Sequence, residues 1–393
     1  MSHYEMKNKI LGKGSFGIVK LAFDSINLRK VAVKIIPVSR RTLVDDNSYF
    51  VSEETQDNIK MTKKYKIEKE IRIIKYLDHP HIVKYYDCLL INNSYHIYME
   101  FVKYGTLYDY MVKKKKIDDG TVCDIFVQLI SALEYCHGNL ISHRDIKLEN
   151  ILVANFKDPV IVKLTDFGLA NYVRINSLHS SFCGSPNYAA PEIFLKKLYN
   201  PMLTDIWSVG VCLYIMAYGI FPWDYKNIPQ MMVTELKIPN YGIRNESFVE
   251  LIKKMLEVNP RKRITLDEVK KSDWIKDKIL PSYLKDTVPI NDIDLKLVNK
   301  IVSLGFDKKE ALYSISENIK SQSTAIYHLL LNRKIKEYDQ DNNLTGIDSD
   351  NVLECKKVNN NRRSKTEFDL LKSKRKTFKD RITPIFSRKK KPT

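Results

Sequence analysis

Three oxygen-bearing side chains, Asp145, Asn150 and Asp166, fall within one stretch, residues 143–168, reading HRDIKLENILVANFKDPVIVKLTDFG. Two carboxylates and an amide are hard donors that suit a hard cation such as magnesium. Upstream, Gly12-Lys13-Gly14-Ser15-Phe16-Gly17-Ile18-Val19 has the spacing G-x-G-x-x-G-x-V. A dinucleotide fold is the rival for such a pattern, but it requires a helix opening at the glycines. Here GIVKLAFD and VAVKII follow, and both read as strands. The pattern therefore fits a β-hairpin flap whose backbone amides close over phosphates, with glycines removing a Cβ clash. Lys34 ends the apolar run Val31-Ala32-Val33, about twenty residues beyond the flap. Most lysines on a strand keep their heads in water, but this one is placed to hold two phosphates.

The elements that position these groups are legible from periodicity. ILVA and VIVKL flank the turn-like NFKDP, which predicts a hairpin bringing Asp145, Asn150 and Asp166 together. KIEKEIRIIKYL carries Ile67, Ile71, Ile74 and Leu77 at helical spacing. Glu70 lies one position off that apolar face and is within reach of Lys34; its bland alternative is one more solvated charge. Residues 96–102 read as a strand broken at Lys103-Tyr104-Gly105, a hinge between a small β-rich lobe and a larger helical one. A helix over 121–138 places Val122, Ile125, Phe126, Leu129, Ile130 and Leu133 on its apolar positions. Another starts near Thr204. The uncharged run from Ile206 to Trp223 is long enough for a membrane span. Its Ser, two Gly and Pro222, with Asp205 abutting, favour a buried core helix. Residues 39–62 are polar and irregular and read as a surface insertion.

At 393 residues, 44% hydrophobic and 28% charged, most of the chain should be globular. The net charge of +18 is uneven: residues 353–393 hold fifteen Lys/Arg against four Asp/Glu. The basic balance describes a tail, so no nucleic-acid partner is expected. Cys88, Cys123, Cys136, Cys183, Cys212 and Cys355 include no C-x-x-C pair, which argues for reduced thiols inside a cell. No signal peptide is expected, since the glycine pattern begins at residue 12.

Taken together, HRDIKLEN, DFG, the glycine pattern, VAVK and Ala190-Pro191-Glu192 resemble the signature set of eukaryotic protein kinases. The signatures follow one another in the order that family shows, over about residues 4–275. The resemblance implies an α+β, bilobal kinase fold, with an N-lobe over 4–102 and a C-lobe over 103–275. It implies ATP bound among Leu11, Gly12, Lys13, Gly14, Ser15, Phe16, Gly17, Ile18, Val19, Ala32, Lys34, Glu70, Met99, Glu100 and Val102. Met99 would guard the back of the adenine pocket, and Glu100 and Val102 would offer hinge backbone. Asp145 would take the proton of the substrate hydroxyl and Lys147 would steady the transferring phosphoryl group. Asn150 and Asp166 would hold magnesium, and Glu192 would pair with Arg263. Lys147 points to serine/threonine rather than tyrosine substrates. The run Ser181-Phe182-Cys183-Gly184-Ser185-Pro186-Asn187-Tyr188, with Trp274-Ile275 and Leu280-Pro281-Ser282-Tyr283-Leu284, is similar to the AMP-activated and sucrose-non-fermenting kinase group. Ser181 then aligns with the residue an upstream kinase phosphorylates. A phosphate there would carry about −1.5 to −2 charge and could pair with Arg144; Ser180 competes for that role. Three departures stand out: Leu148 replaces a usual Pro, Thr106 replaces an acidic residue after the hinge, and 36 residues separate Lys34 from Glu70.

After a linker over 276–290, residues 291–335 read as three short helices with a Gly305-Phe306 turn. Leu297, Ile301 and Leu304 share one face, Asp307 to Glu310 offers a cap, and Leu312, Ile315, Ala325, Ile326, Leu329 and Leu330 follow. The unit resembles the ubiquitin-associated-like domain of this kinase group, and packing against the kinase is preferred over ubiquitin binding. Residues 336–393 read as a disordered basic tail. Lys374-Arg375-Lys376 and Arg388-Lys389-Lys390-Lys391 suit an anionic membrane surface or an import receptor, with a merely solvated tail the blander reading. The larger assembly domain of the AMP-activated catalytic subunit does not fit in what remains, which argues against a heterotrimer. The resemblance implies a signalling kinase responding to nutrients, energy or stress, expected in the cytoplasm with the nucleus as the alternative. A pseudokinase would normally lack the lysine, the base or the metal-binding Asp, and all three are present.

Overall fold

The computed structural model describes residues 3–14, 17–38, 64, 67–68, 70–173, 184–195, 198–223, 235–243, 245–278, 280–283, 293–317, 319 and 321–344. Ser15, Phe16, the 39–62 insertion, Ser180, Ser181, Cys183 and the tail from 345 onward lie outside them.

The N-terminal strands β1 (Tyr4–Gly14), β2 (Gly17–Asp24), β3 (Arg29–Pro37), β4 (Tyr85–Ile91) and β5 (Ser94–Glu100) form one antiparallel sheet in the order β1-β2-β3-β5-β4. Alternation along β3 sends Val31 and Val33 to one face, where they pack with Tyr4, Ala22 and Tyr98. Ala32, Lys34 and Ile36 take the other face, where Ile36 meets Ile67, Tyr95 and Ile97. On that face lies α1, helical at residues 64, 67, 68 and 70–74. Its burial differs from the single stripe expected. Ile67 is buried on the sheet and Ile73 and Leu77 in the main core, while Ile71 and Ile74 are only half-buried. The helix lies between two apolar surfaces, so its buried arc is wider than one face.

The second lobe is built on α2 (Leu107–Lys114) and α3 (Asp119–Gly138). All six apolar positions expected on α3 are buried. The short β6 (Ile141–Ser142), the hairpin β7 (Ile151–Asn155) and β8 (Ile161–Leu164), and β9 (Asn171–Tyr172) follow, with Ile151 opposite Leu164. Next come α4 (Pro191–Phe194) and α5 (Pro201–Tyr218). The last of these starts three residues before Thr204, because Asn200 caps it and Pro201 occupies its first turn. It is apolar and long enough to cross a membrane, yet 78% of it is buried inside the protein. It is the core helix of this lobe, ended by Gly219 at φ 73°. The helices α6 (Glu246–Met255) and α7 (Leu266–Lys270) complete the lobe. Cys88, Cys123, Cys136 and Cys212 are free thiols.

Beyond it, the first part of the expected linker is not a free spacer. Leu280 packs on the main core and the Tyr283 ring meets His79 edge-on at 4.5 Å. Then α8 (Leu295–Ser303), α9 (Lys308–Ser316) and α10 (Gln322–Leu344) enclose a small core of their own. Leu297, Ile301, Ile315, Ile326 and Leu330 are in it, and Asp307 caps α9 through the Glu310 amide. Two expectations need correction here. The third helix is not short, and no disordered tail begins at 336, since α10 continues to Leu344. The sequence KEYDQDNNL lacks apolar periodicity. Backbone hydrogen bonding alone can continue a helix through such a stretch, and it leaves no hydrophobic pattern to read.

Candidate active site

Lys34 projects from β3 toward α1, and its Nζ lies 2.5 Å from Glu70 Oε1 and 2.9 Å from Asp166 Oδ1. Burial disfavours charge on Lys34, but the two carboxylates outweigh it and hold its pKa above the usual lysine range. Burial likewise works against ionised Asp166. Lys34, by charge and by hydrogen bond, prevails and keeps that carboxyl below the ordinary carboxylate value. Asp166 adopts φ 64°, the left-handed region that side chains with a Cβ seldom occupy. Phe167, next in sequence, is buried and meets the His143 ring edge-on at 4.7 Å. The Lys34–Glu70 and Lys34–Asp166 pairs are thus formed at once.

Asp145 is held at both oxygens. Oδ1 accepts from the Ser185 amide at 3.1 Å and the Ser185 hydroxyl at 2.9 Å. Oδ2 accepts from Lys147 Nζ at 2.7 Å and Asn150 Nδ2 at 3.0 Å. Lys147 also donates to Ser185 Oγ at 2.7 Å, closing a ring of charge-assisted bonds. Asn150 Nδ2 donates to the Asp145 carbonyl as well, at 2.8 Å. With its nitrogen committed twice, the amide leaves Oδ1 as the atom for a cation. The Asn150 carbonyl accepts from the Thr165 amide at 2.9 Å, which brings Asn150 beside Asp166.

Beneath this ring sits Asp205, 1% exposed. It accepts from the His143 amide (2.9 Å), the Arg144 amide (2.8 Å) and His137 Nε2 (2.9 Å). These bonds hold Arg144 at φ 68°, a conformation that needs outside support. The imidazole of His143 accepts from the Asp145 amide through Nδ1 at 3.3 Å and faces the Thr165 carbonyl through Nε2 at 3.1 Å. That assigns the proton to Nε2. The sequence alone assigns no role to Asp205, Ser185 or His143. Asp205 carries a signal all the same, as the lone charge at the head of an apolar helix. A buried carboxylate there has to be satisfied.

On the nucleotide side, a Cβ at Gly12 would meet nothing within 4 Å, so that position leaves room for a ligand. Gly17 is different: a Cβ there would lie 2.1 Å from the Ile35 carbonyl oxygen. The close approach of β3 by itself requires a glycine there. Val19 lies across from Lys34, Ile18 across from Ile35, and Ala32 across from Met99. Leu11, Met99, Glu100 and Val102 are half-buried and Lys13 is exposed. The Glu100 amide already donates to the Lys84 carbonyl at 2.8 Å, so any hinge contact from Glu100 falls to its carbonyl. Thr106 caps α2, and its hydroxyl and amide both turn the Asp109 carboxylate back onto the cap. Glu192 and Arg263 pair twice, at 2.7 and 2.9 Å, and Arg263 also donates to the Leu203 and Glu257 carbonyls. Both are buried, so the pair ties α4 to the segment after α6.

This donor set suits magnesium and a nucleotide triphosphate: hard oxygens at Asn150 and Asp166, a fixed ammonium at Lys34, and open space at Gly12. Residues 4–275 match the protein kinase domain model. The chain is 37% identical over 334 residues to the SNF1-related protein kinase catalytic subunit alpha KIN12 of Arabidopsis thaliana, covering 83% of this chain and 63% of that protein. It is 35% identical over 336 residues to the serine/threonine protein kinase OSK4 of Oryza sativa subsp. indica, covering 84% and 62%. Over 343 residues it is 34% identical to the serine/threonine-protein kinase SIK2 of Gallus gallus, covering 84% and 40%. The chain thus spans less than two thirds of the length of these curated relatives. The resemblance to the sucrose-non-fermenting group holds, and the chain belongs to the protein kinase family.

Proposed function

We propose that this protein is a serine/threonine protein kinase that transfers the γ-phosphate of ATP to protein hydroxyls. The observation that carries the reading is Asp145, bonded at both oxygens by Ser185, Lys147 and Asn150. Phosphoryl transfer asks for in-line positioning and charge neutralisation more than covalent chemistry. Asp145 takes the proton as the substrate oxygen attacks phosphorus, and the bond to the ADP oxygen breaks. Lys147 steadies charge on the group in flight. Lys34, held by Glu70, grips the phosphates of the bound nucleotide under the Gly12–Gly17 flap. Asn150 and Asp166 would hold magnesium, which supplies charge neutralisation at the phosphates.

Regulation by an upstream kinase at Ser181 is part of this reading. Gly184 runs so close to Arg144 that a Cβ would stand 2.8 Å from its carbonyl oxygen. Ser181 is three residues upstream and lies outside the described residues; in this reading a phosphate on it, carrying about −1.5 to −2 charge, pairs with Arg144. The C-terminal three-helix unit, ubiquitin-associated-like by resemblance, acts as an intramolecular regulator. The tail's basic clusters suit an anionic membrane surface or an import receptor, with a merely solvated tail ranked ahead of both, and the kinase acts in nutrient, energy or stress signalling in the cytoplasm, with the nucleus as the alternative. Substitution Asp145→Ala or Lys34→Met should abolish phosphate transfer to a generic peptide while circular dichroism stays unchanged. Normal turnover in either variant would remove the assignment.

A further inference from the structure

Tyr95 is the second residue of β5, its ring buried among Ile36, Ile67 and Ile97. Its hydroxyl leaves the sheet and donates to Glu68 Oε1 on α1 at 3.0 Å. Glu68 stands two residues before Glu70, and Tyr95 two residues before Ile97, which lies directly across from Lys34. Sheet and helix are therefore joined at neighbouring places, by Lys34–Glu70 and by Tyr95–Glu68.

The two joints do not repeat one another. At 3.6 residues per turn, positions 68 and 70 project roughly 200° apart around the helix. Ile67, Ile71 and Ile74, which pack on the sheet, run between them. A helix tied on one flank can roll about its axis over an apolar surface, because hydrophobic contact is non-directional. Tied on both flanks, it cannot. We propose that Tyr95 is a positioning residue, whose hydrogen bond to Glu68 stops α1 from rolling and so keeps Glu70 on Lys34. Burial and the neighbouring Glu68 push the Tyr95 phenol up to about 12, so it stays a donor at any physiological pH. The inference rests on the reading that Lys34 grips the phosphates.

Tyr95→Phe keeps the ring in its apolar slot and deletes the donor, so fold and function separate cleanly. In the full-length chain, kcat should fall about three- to tenfold, the size of one lost hydrogen bond. The peptide KM and the melting temperature should hold, and amide exchange should quicken across 67–74 but not across 119–138. Glu68→Ala should copy this, the double variant should lose no more than either single, and Glu68→Gln, which still accepts, should regain most of the rate. A Tyr95→Phe enzyme within twofold of the parent would overturn the proposal. So would a loss that follows a lower melting temperature, or losses that multiply in the double variant. Lys34→Met is measured alongside: if that variant stays active, the phosphate reading fails, whatever Tyr95 does.

Discussion

Ser185 shows how much of the chemistry rests on a residue no motif letter announces. Its amide and hydroxyl both reach Asp145 Oδ1, and its oxygen also accepts from Lys147. Asp145 and Lys147, bonded to each other directly, are thus also bridged by one hydroxyl 40 residues from Asp145. On the proposed reading, Asp145→Ala should remove the proton acceptor, whereas Ser185→Ala should leave it present but misaligned. Hydrogen bonds to charged groups are worth about 1.5–3 kcal/mol, so kcat should drop roughly ten- to hundredfold. Ser185→Thr, with the same hydroxyl, should restore most of it. A peptide assay at saturating ATP decides; full activity in Ser185→Ala would refute the role. The sequence displayed Ser185 inside a run useful for recognising the family. Sequence spacing could not say which of its neighbouring hydroxyls reaches across to Asp145. Asp145, Asn150 and Asp166 were legible because a hairpin, a local structure, brings them together. Asp205 and Ser185 act through long-range contacts, and these leave only a faint trace in composition.

The elements themselves were legible wherever burial imposes a period. The α3 stripe and the β7–β8 hairpin match their patterns, while α1 blurs because it is buried on two sides. The loop that follows α1 was opaque for another reason: it is organised by polar contacts with a distant helix. His79 faces Ser131 Oγ through Nε2 at 3.2 Å and accepts from the His81 amide through Nδ1 at 3.1 Å. Tyr135 and Tyr283 lie against its ring. Burial, reinforced by His81 and Lys163 and opposed by Asp78, pulls its pKa from 6.5 down to about 3. A depressed histidine resists protonation in the folded state. The unfolded chain therefore binds the proton first, and stability falls as pH drops from about 6.5 toward 3. His81 is lowered in the same sense. Replacing His79 by Gln should remove one such group and flatten the stability–pH slope, by up to about 1.4 kcal/mol per pH unit. Urea melts between pH 7 and 4 measure it. An unchanged slope would mean that His79 does not titrate on unfolding.

At the scale of the whole molecule, the C-terminal helices lie against the back of α1. Arg72 Nη1 donates to the Leu304 carbonyl at 3.3 Å, and Arg333 Nη1 to the Lys75 carbonyl at 3.2 Å. Tyr76 packs on both cores, and Leu329 of α10 is buried in the kinase core rather than in that of its own unit. No periodicity could reveal this, since single apolar residues on separate units carry no register. The Lys34–Glu70 pair is formed with the unit docked, and on the proposed reading of Lys34 the expectation is that docking favours that pair. Leu329→Asp places a charge where the kinase core closes over the side chain and leaves the buried residues of the three-helix core untouched. The unit should stay helical, come off α1, and let amide exchange rise across 70–77. Activity should then fall about fivefold or more, the low end of couplings between sites. A rate that rises instead would make the docked unit an inhibitor. A rate and an exchange pattern that both stay put would show that the contact carries no coupling at all.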